Sequence, residues 1–156
     1  MDFYFNPQLQ LFFQLLLAAF LGVLIGLERE YKRKEAGMRT YALVCLGATL
    51  FTILSLKLFE QVIGNPGVSF DPSRVVNAVA VGIGFLGAGL IILRKLHIEG
   101  LTTAAGLWLT AAVGLAVGAR LYFVAIFTSF LVIGILSGLR LLEEKFFGTK
   151  REDKPE

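Results

Sequence analysis

Any chemistry in this chain must come from a small set of polar residues set among apolar runs. Glu28, Arg29 and Glu30 close one such run, with Arg39 and Thr40 following within a dozen residues. Asp71, Arg74 and Asn77 open a second run, and Thr102, Thr103 and Trp108 lie in the first turns of a third. Glu28, Glu30 and Asp71 are the carboxylates placed to ligate a hard cation, which prefers oxygen donors. Each also has a plainer reading. The Glu28–Glu30 cluster reads equally as a solvated helix end, and Asp71 as a helix cap before Pro72. Asn77 lies just inside an apolar stretch, where an unpaired amide is costly. It either lines a cavity or joins two helices. Cys45 and His97 are the sole residues of their types, so no disulfide, Cys/His metal set or His-based catalytic pair can form within the chain. No nucleophile–base pair appears, and the expectation is a protein without enzymatic activity or bound cofactor.

The stretch GIGFLGAG, residues 82–89, carries Gly82, Gly84, Gly87 and Gly89 within eight positions. Gly82, Gly84 and Gly87 also match the spacing of a dinucleotide fingerprint. That motif needs a strand before it and a soluble βαβ unit around it, and here the glycines lie inside an uncharged apolar run. Small residues in a membrane helix instead let backbones approach closely. A helix starting near Pro72 and organised around these glycines is the expectation.

The elements that must hold these residues are membrane spans. Of 156 residues, 56% are hydrophobic and 17% charged, with mean hydropathy +0.72. A soluble domain of this length could not bury so much apolar surface. Five runs are long enough to cross a bilayer: about 9–27, 41–56, 75–93, 101–118 and 121–139. Residues 1–8 hold no Lys or Arg, so the first run reads as a retained span rather than a cleaved leader. Small or polar stripes recur at four-residue spacing: Gln10, Gln14, Ala18, Gly22, Gly26 in the first span and Thr102, Gly106, Thr110, Gly114, Gly118 in the fourth. The fifth carries Gly134-x-x-x-Gly138. These stripes should face the bundle, and Trp108, about 9 Å into its span, should pack inside. Thr102 and Thr103 should cap span four or bond back to its carbonyls. Cys45 should be a small buried hydrophobe. Gly64-Asn65-Pro66-Gly67 marks a turn, and RKLHIEG (94–100) is short enough to make spans three and four antiparallel neighbours.

Twelve Lys and Arg residues flank the spans on one side and only Lys57, Arg74 and Arg120 on the other. Positive charge stays in the cytoplasm. The fold class expected is therefore an all-α membrane protein, a bundle of five transmembrane helices over residues 1–142 with the N-terminus outside. A charged cytoplasmic tail follows over 143–156. The bilayer is the expected partner, together with a second copy of the chain, because more stripes exist than one bundle can use. Nothing points to nucleic acid.

The segments GLERE (26–30), AGMRT (36–40), DPSRV (71–75), GIGFLGAG (82–89) and GLTTAAGLW (100–108), in that order, resemble the MgtC/SapB family of bacterial inner-membrane proteins. The resemblance covers roughly residues 20–120. It implies a role in magnesium homeostasis, as a Mg²⁺ transporter with Mg²⁺ as substrate or ligand. The alternative it leaves open is a small regulatory protein that modulates a partner pump or ATP synthase through helix contacts. It also draws attention to Arg29, Arg39, Thr40, Arg74, Asn77, the four glycines, Thr102, Thr103 and Trp108.

The orientation can be tested by labelling. With Cys45 replaced, single cysteines at Asn65 and Thr149 should react oppositely with an impermeant thiol reagent in intact cells: 65 labelled, 149 protected. Labelling of both from outside would rule out five spans.

Overall fold

The structure is a computed structural model that describes residues 6–62, 71–94 and 97–147. Five helices in it are long and apolar enough to cross a membrane: α1 (Pro7–Tyr31), α2 (Met38–Val62), α3 (Ser73–Leu90), α4 (Leu101–Gly118) and α5 (Tyr122–Phe147). The expected turn at 64–67, Lys95 and the tail from 148 onward lie outside the described residues. The start of α1 follows its sequence signal: Asn6 accepts a hydrogen bond from the Gln8 N–H and Pro7 occupies the first turn. Asp71 does the corresponding work before α3, accepting from the Ser73 N–H at 2.9 Å.

Two helices end on arginine. Arg33 and Arg120 have φ of 49° and 64°. In each case the N–H groups of that residue and the next reach back to the last turn: Arg33 to Glu30 and Lys34 to Arg29, Arg120 to Val117 and Leu121 to Ala116. This is the left-handed helix stop usually made with glycine, and it costs a side-chain-bearing residue about 1–2 kcal/mol. It turns the chain within two or three residues at Arg120, as the short spacing between spans four and five requires.

The axis of the bundle is α4, not the glycine-rich α3. Of the α4 span 56% is buried, against 6% of α3, and α4 touches all four other helices. Its stripe lies against α2. A Cβ at Gly106 would fall 2.6 Å from the Tyr41 hydroxyl, one at Gly114 would strike the Cys45 carbonyl, and one at Gly118 the Thr49–Thr52 turn. Gly22 and Gly26 bring α1 onto α2 in the same way, with a Cβ 2.7 Å from Ala42 Cα and 2.6 Å from Met38 Cα respectively. Hydrogen bonds stitch the contacts. Thr49 Oγ1 lies 2.8 Å from the Gly114 carbonyl, and Gln14 Nε2 donates to Val117 O at 3.0 Å.

Several expectations need correction. Gly82, Gly84 and Gly89 would meet nothing within 4 Å if given a Cβ, and only Gly87 touches α4, at Ala104. Gly134 and Gly138 are equally open. Thr102 is exposed and Thr103 takes its place inward; Trp108 is 51% exposed and faces out. The shift from Thr102 to Thr103 has a simple cause. A four-residue step overshoots a helical turn by about 40°, so a long i, i+4 stripe winds off any single face. The third span also ends early. Residues 92–94 (β1) and 97–99 (β2) form a small antiparallel hairpin pairing Ile92 with Glu99 and Arg94 with His97, which returns the chain so that α3 and α4 are neighbours.

The two kinds of glycine should respond differently to substitution. Gly114→Leu forces α2 and α4 apart and should lower stability by about 3 kcal/mol or more, with loss of folded yield in detergent. Gly84→Leu and Leu16→Ala, both on exposed faces, should leave the monomer's melting temperature nearly unchanged. Equal losses for all three would mean that α4 is not the axis.

Candidate functional site

The inward face of α1 runs through Gln14, Ala18, Leu21, Gly22, Ile25 and Gly26 to Arg29. The same winding that drew the stripe off Gln10 therefore delivers a cation, not Glu30, into the bundle. Arg29 is only 3% exposed. Its Nε donates to the Glu28 carboxylate, and its Nη2 reaches the Leu136 carbonyl of α5 at 3.5 Å. Lys32, one turn on, pairs with the same Glu28. A carboxylate shared by two cations, its side chain one-tenth exposed, is held closed: an incoming dication would have to displace both.

Glu30 points the other way and serves α2. Its Oε2 accepts the Met38 N–H at 3.1 Å, satisfying one of the donors left free at a helix start. The carboxylate lies against Gly37, where a Cβ would overlap it. That packing explains why a small residue stands at 37.

Between the two helices Glu35 makes the contact that ties the α1–α2 turn to α4. It accepts from the buried Thr103 hydroxyl at 2.9 Å. Burial alone would push its pKa up. Hydrogen bonds from its own backbone N–H and from Thr103, with Lys34 and Arg29 nearby, outweigh this and hold it below the usual carboxylate value. Thr103 is used twice: its carbonyl accepts from the Tyr41 hydroxyl at 3.1 Å. Thr103 thus neither caps α4 nor bonds back along it, contrary to the sequence expectation. The α4 N-cap is Gly100, at φ +87°. Glu28, Arg29 and Lys32 make one cluster and Glu35, Tyr41 and Thr103 a second, with Arg29 near enough to act on the Glu35 charge; together they make a polar network joining α1, α2, α4 and α5 at one end of the bundle.

The other candidates lie elsewhere. Gly87 packs on Ala104, near Thr103, so the C-terminal end of α3 is the end close to the network. Asp71 is sixteen residues earlier, about 24 Å along the helix, and its Oδ1 is taken by the Ser73 N–H and hydroxyl. Glu28, Glu30 and Asp71 therefore do not share an ion. Among the described residues no three His, Cys, Asp or Glu side chains stand close enough to hold a metal. Arg39, Thr40, Arg74 and Asn77 are exposed, and none joins the network. The sequence analysis missed Glu35 and Tyr41. The available signal was position: both border the AGMRT segment, one just before it and one just after.

The network draws on two of the sequence segments that carry the resemblance: GLERE supplies Glu28 and Arg29, and GLTTAAGLW Thr103, while Glu35 and Tyr41 flank AGMRT. Comparison with known proteins agrees with that reading. The family model described as "MgtC family" matches residues 15–145. Among relatives, "Putative magnesium transporter YhiD" of Escherichia coli (strain K12) is 42% identical over 123 residues, covering 79% of this chain and 57% of that protein. "Protein SrpB" of Synechococcus elongatus is 39% identical over 156 residues, covering 92% and 84%. "Protein MgtC" of Brucella abortus (strain 2308) is 41% identical over 125 residues, covering 80% and 49%. The chain thus spans roughly half the length of the YhiD and MgtC relatives. No solved structure matches it. Five apolar helices, the ordered segments and a family match over most of the chain lead to one conclusion: this multi-pass membrane protein belongs to the MgtC family.

Proposed function

We propose that this protein serves magnesium homeostasis in the bacterial inner membrane, and that it acts on another membrane protein rather than conducting Mg²⁺ itself. The link to magnesium rests on family membership and on the relative named as a magnesium transporter. The observation that carries the regulatory reading is that the candidate carboxylates are dispersed and each is engaged by the chain's own groups through at least one oxygen. Glu28 is shared by Arg29 and Lys32, Glu30 caps α2, Glu35 is bound to Thr103, and Asp71 caps α3. A conduit for a strongly hydrated dication needs oxygen ligands free to exchange. The charge asymmetry supports an outside N-terminus and a network at the cytoplasmic face, where a partner's soluble segment can reach it. Open glycine faces on α3 and α5, at Gly84, Gly89, Gly134 and Gly138, suit a homodimer or the helix of a partner. No catalytic role is assigned.

Transport is the second reading, favoured by the YhiD relative's printed name. The two readings separate in liposomes holding a Mg²⁺-sensitive dye. The pure protein should give no flux above empty vesicles. Flux that Glu28→Gln abolishes while the protein stays folded would establish transport instead.

The network itself is tested by substitution. Glu28→Gln leaves the Arg29 guanidinium buried beside a neutral amide and should cost about 3 kcal/mol in thermal stability. Glu30→Gln should be nearly neutral, because an amide oxygen still accepts from Met38. Growth of the double variant at limiting Mg²⁺ should fail. Unimpaired growth would remove the cluster from the protein's function.

A further inference from the structure

An open groove with a charged end lies between α2 and α3. It has a volume of about 850 Å³ and is lined by apolar side chains, with Gly47 and Gly82 on its walls and Arg74 at one end. A Cβ at either glycine would meet nothing within 4 Å, so the space is not filled by the chain's own packing. Arg74 is the sole charged residue among the described residues lining it.

That arginine has donors to spare. Its partner Asp71 has one oxygen committed to the Ser73 N–H and hydroxyl. The other lies 3.9 Å from Arg74 Nε, beyond hydrogen-bonding length. The Arg74 side chain is 86% exposed, leaving a planar fork of N–H donors that suits a phosphate. It stands in the first turn of α3, the end of that span where a headgroup phosphate would lie. From Arg74 to Leu86, the groove residue nearest the far end of α3, is twelve residues, or about 18 Å. This is a little over half of a hydrocarbon core about 30 Å thick, the depth of one leaflet.

We propose that this groove is a binding site for one phospholipid with an anionic headgroup, its phosphate on Arg74 and an acyl chain lying along Gly47 and Gly82 between α2 and α3. The occupant is a lipid rather than a second copy of the chain because a cation marks the headgroup end and the apolar length matches one leaflet. Two copies meeting through this groove would bring two arginines into one interface.

The test is native mass spectrometry of the purified chain with palmitoyl-oleoyl phosphatidylglycerol, and with phosphatidylcholine of the same tails. Wild type should retain one phosphatidylglycerol in preference to phosphatidylcholine. Arg74→Gln, at an exposed site where folding is not at risk, should lower that retention roughly tenfold, the loss of one charge-assisted partner. Arg74→Lys should recover part of it. Gly82→Leu fills the groove and should remove binding of both lipids while the melting temperature is kept. Retention by Arg74→Gln at the wild-type level would overturn the proposal. So would a Gly82→Leu variant that keeps its lipid but changes from dimer to monomer, which would assign the groove to a second copy.

Discussion

The close approach of α2 and α4 is the constraint on which the rest depends. In lipid there is no hydrophobic gain from bringing two apolar helices together, so association rests on contact and on hydrogen bonds between helices. Gly106, Gly114 and Gly118 remove the side chains that would hold the backbones apart. The gap is then narrow enough for the Tyr41 hydroxyl to reach the Thr103 carbonyl and Thr49 to reach that of Gly114. Gly22 and Gly26 add α1 to the same sheet of contacts. With these three helices fixed, the turn between α1 and α2 has one place to lie, and Glu35 meets Thr103.

The polar network follows from this packing rather than from a tendency of the residues to cluster. Arg29 is buried because it continues the inward face of α1, and a buried guanidinium demands a counter-charge. Glu28 supplies it, with Lys32 balancing the second oxygen. Three charges within five residues become a lock between α1 and α5, since Arg29 also reaches the Leu136 carbonyl. Breaking the lock would expose a desolvated charge. The state of this corner can therefore be changed only by something that brings replacement charge, such as a partner's acidic segment.

Much of the fold was legible from the sequence because membrane insertion imposes length and apolarity span by span. The five helices, the Asn6-Pro7 start, the tight turn at Arg120 and the packing role of the α4 glycines could all be read from local signals. The site was less legible. Strict four-residue spacing put Thr102 in the core and, continued past Gly26, leads to Glu30, whereas the accumulated winding of a 3.6-residue helix puts Thr103 and Arg29 inside. Glu35 gave no local signal beyond its place beside the AGMRT segment. Its role is a contact over 68 positions of chain with Thr103, set by how three helices pack. The glycines of α3 were misjudged for a different reason: small residues show that close approach is permitted, not that a neighbour is present.

The scant burial of α3 bears on how this protein moves. Among the described contacts α3 is held chiefly by α4, with far fewer to α2, and it reaches α4 through the small hairpin at 92–99. Free energies of local opening follow the contacts an element makes. The helix richest in glycine is thus the least buried of the five, a wall beside the more deeply packed α1–α2–α4 block. Amide exchange should proceed from α3 long before it reaches Tyr41 or Thr49. A displacement of that wall is the change of shape that exposes the least buried surface while the core stays folded.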